Sequence, residues 1–297
     1  MAIQEERALA DRVYALLEGL ASTDASSVGP ETELESIGFD SLACAEFSAA
    51  VEQELGVDLV DEQLTKLATA VEVVQLVERT AAAGRRAREP YPPGMGRMQR
   101  TAKVLAGGFC RWWFSMEVVG TEHIPLAGPV VLCMNHESFL DIPLIVVASP
   151  RPVRFMAKRE LFEKPRLARF FHELGGFSVD RDAYDLRAVE VALEVIRRGE
   201  VLGMYPEGTR TSGTLLPFLP GAAWIALKTG TPLLPAAISG THDAMPKGSK
   251  FFKRVPVRIE FAPAMPVERE DSPFERRKRA VELTEQVRDA VAKRWVR

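Results

Sequence analysis

The run Asn135-His136-Glu137-Ser138-Phe139-Leu140-Asp141 places an imidazole and a carboxylate five residues apart. Five residues do not share one face of a regular helix, so the pair meets only if the chain turns at a helix start. Asp141 would then sit near the cap, with Pro143 in the first turn. A carboxylate there holds one imidazole nitrogen and sets the tautomer, which leaves the other nitrogen to take a proton. This is general-base chemistry in which a substrate hydroxyl attacks directly, with no serine nucleophile and no covalent enzyme intermediate. Backbone N–H groups near 138–143 are the expected partners of the oxyanion. Structural histidines on loops show the same spacing, so the reading depends on motifs further along the chain.

Those downstream motifs are rich in basic residues. Lys158 opens KREL, Arg181 closes GGFSVDR, and Glu207-Gly208-Thr209-Arg210 lies inside YPEGTRT. Arginine offers a planar fork for phosphate oxygens and lysine a point charge. Gly208 lets backbone N–H groups approach an anion. Glu207 is itself anionic, so it is expected to orient basic groups or a hydroxyl rather than touch phosphate. Far upstream, Gly38-Phe39-Asp40-Ser41-Leu42 ends a polar loop, and Ser41 would cap the next helix. A phosphodiester on that hydroxyl would lie at the positive end of the helix dipole. An isolated serine in that place is more often a plain cap. No metal-ligand set is evident, and no metal is expected.

Two kinds of module must carry these residues. Leu9, Val13, Leu16, Leu17 and Leu20 recur at helical spacing, and a helix is predicted over 4–21. A second is predicted from Ser41, with Leu42, Ala45, Ala49 and Leu55 facing inward, and a last one over 71–82. Beyond residue 97, short apolar runs alternate with amphipathic stretches. Strands are predicted at 129–134, 153–157, 176–179, 201–205, 232–238 and 256–261, with helices at 142–149, 160–173, 184–199, 219–230 and 273–295. Such alternation makes an α/β layered domain with a mostly parallel sheet. Residues 84–97 hold three Gly and three Pro and read as a linker between residues 1–83 and 98–297. The charge divides at the same place. Residues 1–83 carry 17 acidic and 4 basic side chains; the rest of the chain carries 24 acidic and 34 basic side chains, so balances of −13 and +10 sum to −3. Opposite fields of that size would steer the modules together.

Residues 98–118 mix Phe109, Trp112, Trp113 and Phe114 with Arg97, Arg100, Lys103 and Arg111 nearby. Aromatic rings among cations suit an interfacial helix on an anionic membrane surface; a core helix with a basic outer face is the competing reading. ERRKR at 275–279 reads as a solvated face. The N-terminus lacks a signal-peptide core, and no apolar run reaches spanning length. Cys44, Cys110 and Cys133 form no paired framework, so reduced thiols are expected. The expectation is a cytoplasmic protein, peripheral on the inner face of the membrane. Without a recognition motif and with a slightly acidic total charge, no nucleic acid is expected as a partner.

The stretch 40–59, DSLACAEFSAAVEQELGVDL, resembles the acyl carrier protein family, with its D-S-L motif and acidic second helix. That resemblance implies a four-helix bundle with covalent 4′-phosphopantetheine on Ser41, attached by a phosphopantetheinyl transferase and carrying an acyl thioester. The ordered set NHESFLD, KREL, GGFSVDR, YPEGTRT and TPLLPAAI resembles the glycerolipid acyltransferase family typified by 1-acyl-glycerol-3-phosphate acyltransferases. It implies His136 as base and Asp141 as its partner. Lys158, Arg181, Glu207, Gly208, Thr209 and Arg210 would form the acceptor phosphate site. Together the resemblances imply O-acyl transfer from a thioester on its own or a neighbouring carrier domain to a lysolipid or glycerol-phosphate acceptor. Two alternatives stay open: a non-phosphorylated lipid or specialised-metabolite acceptor, and a carrier and membrane-docking scaffold without turnover.

Overall fold

The computed structural model describes the chain apart from residues 1, 22–27, 40, 58, 60–63, 65–66, 84–96, 159–161, 165–167, 170, 173–174, 180–185, 247, 250 and 297. The chain divides into two compact units. One comprises Met1–Pro90 with Asp180–Glu190 and Ser272–Arg277, the other Tyr91–Val179, Val191–Asp271 and Lys278–Arg297. The proposed linker lies, except for Arg97, outside the described residues.

The first unit is helical. Its main helices are α1 (Ala2–Leu20), α2 (Ser41–Leu55) and α3 (Ala70–Ala83). Val13, Leu17 and Leu20 bury one stripe of α1, as their spacing predicts. In α2 the described buried side chains are Ala43, Cys44, Glu46, Phe47, Ser48 and Val51; the expected inward residues Leu42, Ala45 and Ala49 lie outside the described side chains, and Leu55 is half-buried. Most of residues 58–66 also lie outside the described residues. The long loop is not a bystander. It inserts Val28, Leu34 and Ile37 into the core, and Leu34 N–H donates to the Ala68 carbonyl at 2.9 Å. The Glu72 carboxylate accepts the Ala68 and Thr69 N–H groups at the start of α3, which holds its carboxyl below the usual range. Gly38 adopts φ +68°, and Phe39 then packs edge-on against Phe47 at 5.7 Å. Ser41 is thus the first helical residue of α2 rather than the residue before it.

The second unit opens with α4 (Arg97–Trp113) and contains a seven-stranded sheet. The strands are β1 (Glu117–Val119), β2 (Val130–Met134), β3 (Val153–Lys158), β4 (Gly176–Val179), β5 (Val201–Met204), β6 (Leu233–Ser239) and β7 (Arg258–Phe261), in the order β1-β7-β6-β2-β5-β3-β4. All pairings are parallel except β6 with β7. The unit's complete further helices are α5 (Asp141–Ala148), α7 (Gly221–Thr229) and the single-turn α8 (Thr241–Ala244), while α6 (Leu186–Arg197) and α9 (Pro273–Ala292) belong to it from Val191 and from Lys278 onward. A buried parallel sheet needs apolar residues on both faces, and β2 and β6 are buried at every position. Half of the residues of the expected helix over 160–173 lie outside the described residues. Strand β1 was not predicted, because three half-polar residues carry no usable periodicity.

One edge of this sheet is structural. Arg151, just before β3, donates to the carbonyls of Pro125, Gly128 and Gly199 at 2.6, 2.7 and 2.8 Å. It thereby ties together chain segments entering β2, β3 and β5. The C-terminal ends of those strands are left to carry loops, the usual position for a site in an open α/β sheet.

Gly203 in β5 has a steric role. A Cβ there would fall 2.4 Å from Phe155 Cε1 and 2.9 Å from Val153 Cγ1. Phe155 is a fully buried ring that cannot swing aside. Gly203→Ala should therefore destabilise the second unit by about 1–3 kcal/mol, read as a lower urea midpoint at unchanged slope.

Candidate active site

Strand β2 ends at Met134, and the chain turns through 135–141 into α5. The turn rests on Asp141, which has no solvent exposure. Its Oδ2 accepts from His136 Nδ1 at 2.8 Å, Glu137 N–H at 2.8 Å and Ser138 N–H at 2.9 Å. The carboxylate also lies in the first turn of α5, where the helix dipole favours negative charge. The five-residue spacing is thus closed by a turn at a helix start. With Nδ1–H donated to Asp141, Nε2 is the nitrogen left to exchange a proton.

The backbone of His136 is held as closely as its ring. Glu207, at the turn after β5, accepts the His136 N–H on Oε1 at 2.8 Å and the Leu216 N–H on Oε2 at 2.9 Å. Thr211 donates its N–H to the His136 carbonyl at 2.8 Å. Burial raises the Glu207 carboxyl, while the two N–H donors pull it back. Asn135 pairs with the Ile238 backbone in both directions at 2.8 Å, which fastens the turn to β6. Ser138 Oγ donates to the Met245 carbonyl at 2.8 Å, so this hydroxyl is part of the scaffold.

An aromatic stack fixes the ring plane. Tyr205 lies over His136 with centroids 4.1 Å apart and an interplanar angle of 22°, and Phe155 stacks behind Tyr205 at 6.0 Å. The Tyr205 hydroxyl is buried without a protein partner. Burial, with the Asp141 charge adding, pushes it well above the usual phenol range, so Tyr205 does not serve as a base.

The turn after β5 brings Gly208, Thr209 and Arg210 to the same sheet edge as His136. Gly208 adopts φ +67°, Thr209 is exposed, and the Arg210 guanidinium lies 3.8 Å above the Phe139 ring. Arg210 therefore touches the loop that carries His136. Lys158 ends β3 at this edge too, though its side chain lies outside those described; Arg181 lies outside the described residues altogether. Ser41 belongs to the first unit. Phe109 and Trp112 are exposed and Trp113 half-buried. Phe114 is a correction: at 2% exposure it packs in the core with Met116 and Ile259, because the chain turns inward after α4. The oxyanion expectation is also narrowed. The N–H groups of Ser138, Leu140 and Asp141 are spent on Asp141, Ser138 Oγ and the Ser138 carbonyl.

Sequence reasoning passed over Tyr205, Asn135, Thr211 and Glu137. The first three are the end residues of its motifs NHESFLD and YPEGTRT. Glu137 sits inside one, and burial raises its carboxyl from 4.5 to about 7, with the Trp295 indole pulling down and the Asp141 charge pushing up. The folded state then holds a proton that the unfolded chain has lost between those two values, so stability falls as pH rises from about 4.5 to 7. Glu137→Gln should remove this part of the slope, on the order of 3 kcal/mol, measured by urea unfolding at pH 5 and pH 8.

Comparison with known proteins bears on both parts of the chain. The Acyltransferase family model matches residues 115–239, and the Phosphopantetheine attachment site model matches residues 11–77. The 1-acyl-sn-glycerol-3-phosphate acyltransferase of Bacillus subtilis is 30% identical over 145 residues, covering 48% of this chain and 70% of that protein. The Limnanthes alba protein of the same name is 29% identical over 180 residues, 59% of this chain and 63% of its own length. The crystal structure of PlsC from Thermotoga maritima, a 1-acyl-sn-glycerophosphate acyltransferase, shares the fold with a TM-score of 0.50 and 24% identity, covering 83% of this chain and 94% of that one. With a phosphopantetheine-attachment region ahead of its α/β unit, the chain belongs to the 1-acyl-sn-glycerol-3-phosphate acyltransferase family.

Proposed function

We propose that the second unit moves a fatty acyl group from a phosphopantetheine thioester to the hydroxyl of a lysophosphatidate-like or glycerol-phosphate acceptor. His136 is the general base. The observation that carries this reading is the His136–Asp141 pair at the C-terminal edge of a parallel sheet, held on ring and backbone by buried partners. His136 takes the acceptor proton as the hydroxyl oxygen bonds to the acyl carbonyl carbon. The carbon–sulfur bond breaks, and the imidazolium returns the proton to the departing sulfur. Asp141 stabilises the imidazolium between the two transfers. Arg210, with Lys158 and Arg181, would meet the acceptor phosphate, while Glu207 and Gly208 shape the turn that presents Arg210.

Ser41 suits covalent attachment of the prosthetic group. It opens a helix of 15 residues, and Gly38 and Phe39 anchor the approach to it. Attached there by a phosphopantetheinyl transferase, 4′-phosphopantetheine supplies a terminal thiol for the acyl chain. A tether on the same chain or a neighbour would raise the local donor concentration to roughly the millimolar range.

A reading with a non-phosphorylated acceptor is favoured by Leu219. This exposed apolar side chain stands against Gly208, 3.1 Å from where a Cβ would lie, on the turn that bears Arg210. Parallel assays with lysophosphatidate, monoacylglycerol and an amine lipid separate the two.

We assign the membrane-facing surface to the exposed rings Phe109 and Trp112, joined by Phe251 and Phe252. Arg254 lies over Trp112 at 5.3 Å, and Arg111 and Lys253 are exposed nearby in sequence. Aromatic rings bordered by cations suit an anionic leaflet, here the inner face of a membrane met from the cytoplasm. Among the described residues no helix is long and apolar enough to cross a membrane.

Co-expression with a phosphopantetheinyl transferase should add the prosthetic mass, and Ser41→Ala should abolish it, by intact-protein mass spectrometry. Acyl loading and then loss of the acyl mass on adding lysophosphatidate tests the transfer. His136→Ala should slow that loss by about a thousandfold or more; undiminished turnover would favour a scaffold instead. Trp112→Ala should weaken sedimentation with phosphatidylglycerol vesicles about tenfold, with little effect on phosphatidylcholine vesicles.

A further inference from the structure

The turn 135–141 has one more attachment, and it comes from a distant part of the chain. Trp295, just beyond α9, donates its indole Nε1–H to Glu137 Oε1 at 2.8 Å. The tail that presents it is anchored first. Val296 N–H donates to Ser239 Oγ at 2.9 Å, and the Arg294 guanidinium approaches Glu260 at 3.4 Å. Trp295 is thereby fastened to the ends of β6 and β7 before it reaches the turn.

Glu137 is buried and lies next to the base in the chain. It borders a cavity of about 160 Å³ lined also by Ser212, His242, Asp243 and Trp295. The charged or titratable groups around it are Asp141 on its own turn, Glu207 after β5, and His242 and Asp243 on α8. No lysine or arginine lines the cavity among the described residues. Glu137 is therefore a second buried carboxyl on the turn that carries His136, held by the Trp295 indole and the His242 backbone N–H.

We propose that Trp295 is a positioning residue for His136: its indole N–H, through Glu137, ties the anchored C-terminal tail to the 135–141 turn and so keeps the imidazole on Asp141. The inference rests on His136 being the base. Trp295 touches neither acceptor nor acyl group; it acts through Glu137. A neutral donor suits this task, because an ion pair in the same place would keep Glu137 charged close to the buried Asp141. The indole bond holds the carboxyl in either protonation state.

The test uses the full chain carrying its prosthetic group. In ¹H–¹⁵N spectra the Trp295 indole resonance, assigned by its absence in Trp295→Phe, should titrate with a midpoint near pH 7. That titration should vanish in Glu137→Gln. Trp295→Phe keeps an aromatic ring but removes the donor. It should broaden or shift the His136 Nδ1 proton signal and lower kcat about tenfold to a hundredfold, with KM for lysophosphatidate within about twofold. The double variant Trp295→Phe/Glu137→Gln should be no slower than Trp295→Phe, since both changes break the same contact. Ser239→Ala, which loosens the tail without touching the indole, should shift the His136 signal in the same direction and answers for Trp295→Phe if that variant folds poorly. An indole resonance insensitive to pH, or an unmoved His136 signal in Trp295→Phe, overturns the proposal. If the resonances behave as described while the parent chain transfers no acyl group to any acceptor, the positioning stands and the proposed function falls.

Discussion

A buried carboxylate without a nearby cation must be hydrogen-bonded or it will take up a proton. Asp141 meets that demand with one oxygen and three donors, two of them backbone N–H groups of the turn that carries the histidine. The requirement works in both directions. The turn supplies the donors that Asp141 needs, and Asp141 ties the turn and the imidazole together. Much of the surrounding architecture can be understood as protection for this arrangement.

The protection is distributed among elements far apart along the chain. Strand β6 contributes Ile238 to Asn135, the turn after β5 contributes Glu207 and Thr211 to His136, and the loop after α8 contributes Met245 to Ser138. The Phe155–Tyr205–His136 stack adds a packing constraint, with Gly203 leaving room for the first ring. Glu207 corrects a simple reading of its motif. It bonds two backbone N–H groups, so the turn positions the histidine as well as presenting Arg210. A parallel sheet makes this convergence possible, because neighbouring strands deliver their loops to one edge.

The carrier unit obeys different constraints. Its core is small, and its long loop stabilises it by contributing Val28, Leu34 and Ile37. The same loop ends in Gly38 and Phe39, whose conformation and packing deliver Ser41 to the start of α2. The proposed attachment site and the stability of the core thus depend on one segment.

Much of the design was legible along the chain. Period and composition located β2 through β7 and most of the described helices within a few residues, because each pattern is local; the single-turn α8 carried no such pattern. The pairing of His136 with Asp141 was legible too, since five residues and a helix start are a local geometry. Tertiary structure alone decided the rest. The short strand β1 exists only by pairing with β7, and Phe114, which reads like its exposed neighbours, is drawn into the core. Phe252 joins Trp113 and Phe114 from a remote part of the sequence. Trp295 reaches Glu137 across 158 positions. No periodicity encodes such contacts, because they depend on where the sheet edge and the end of α9 come to lie in space.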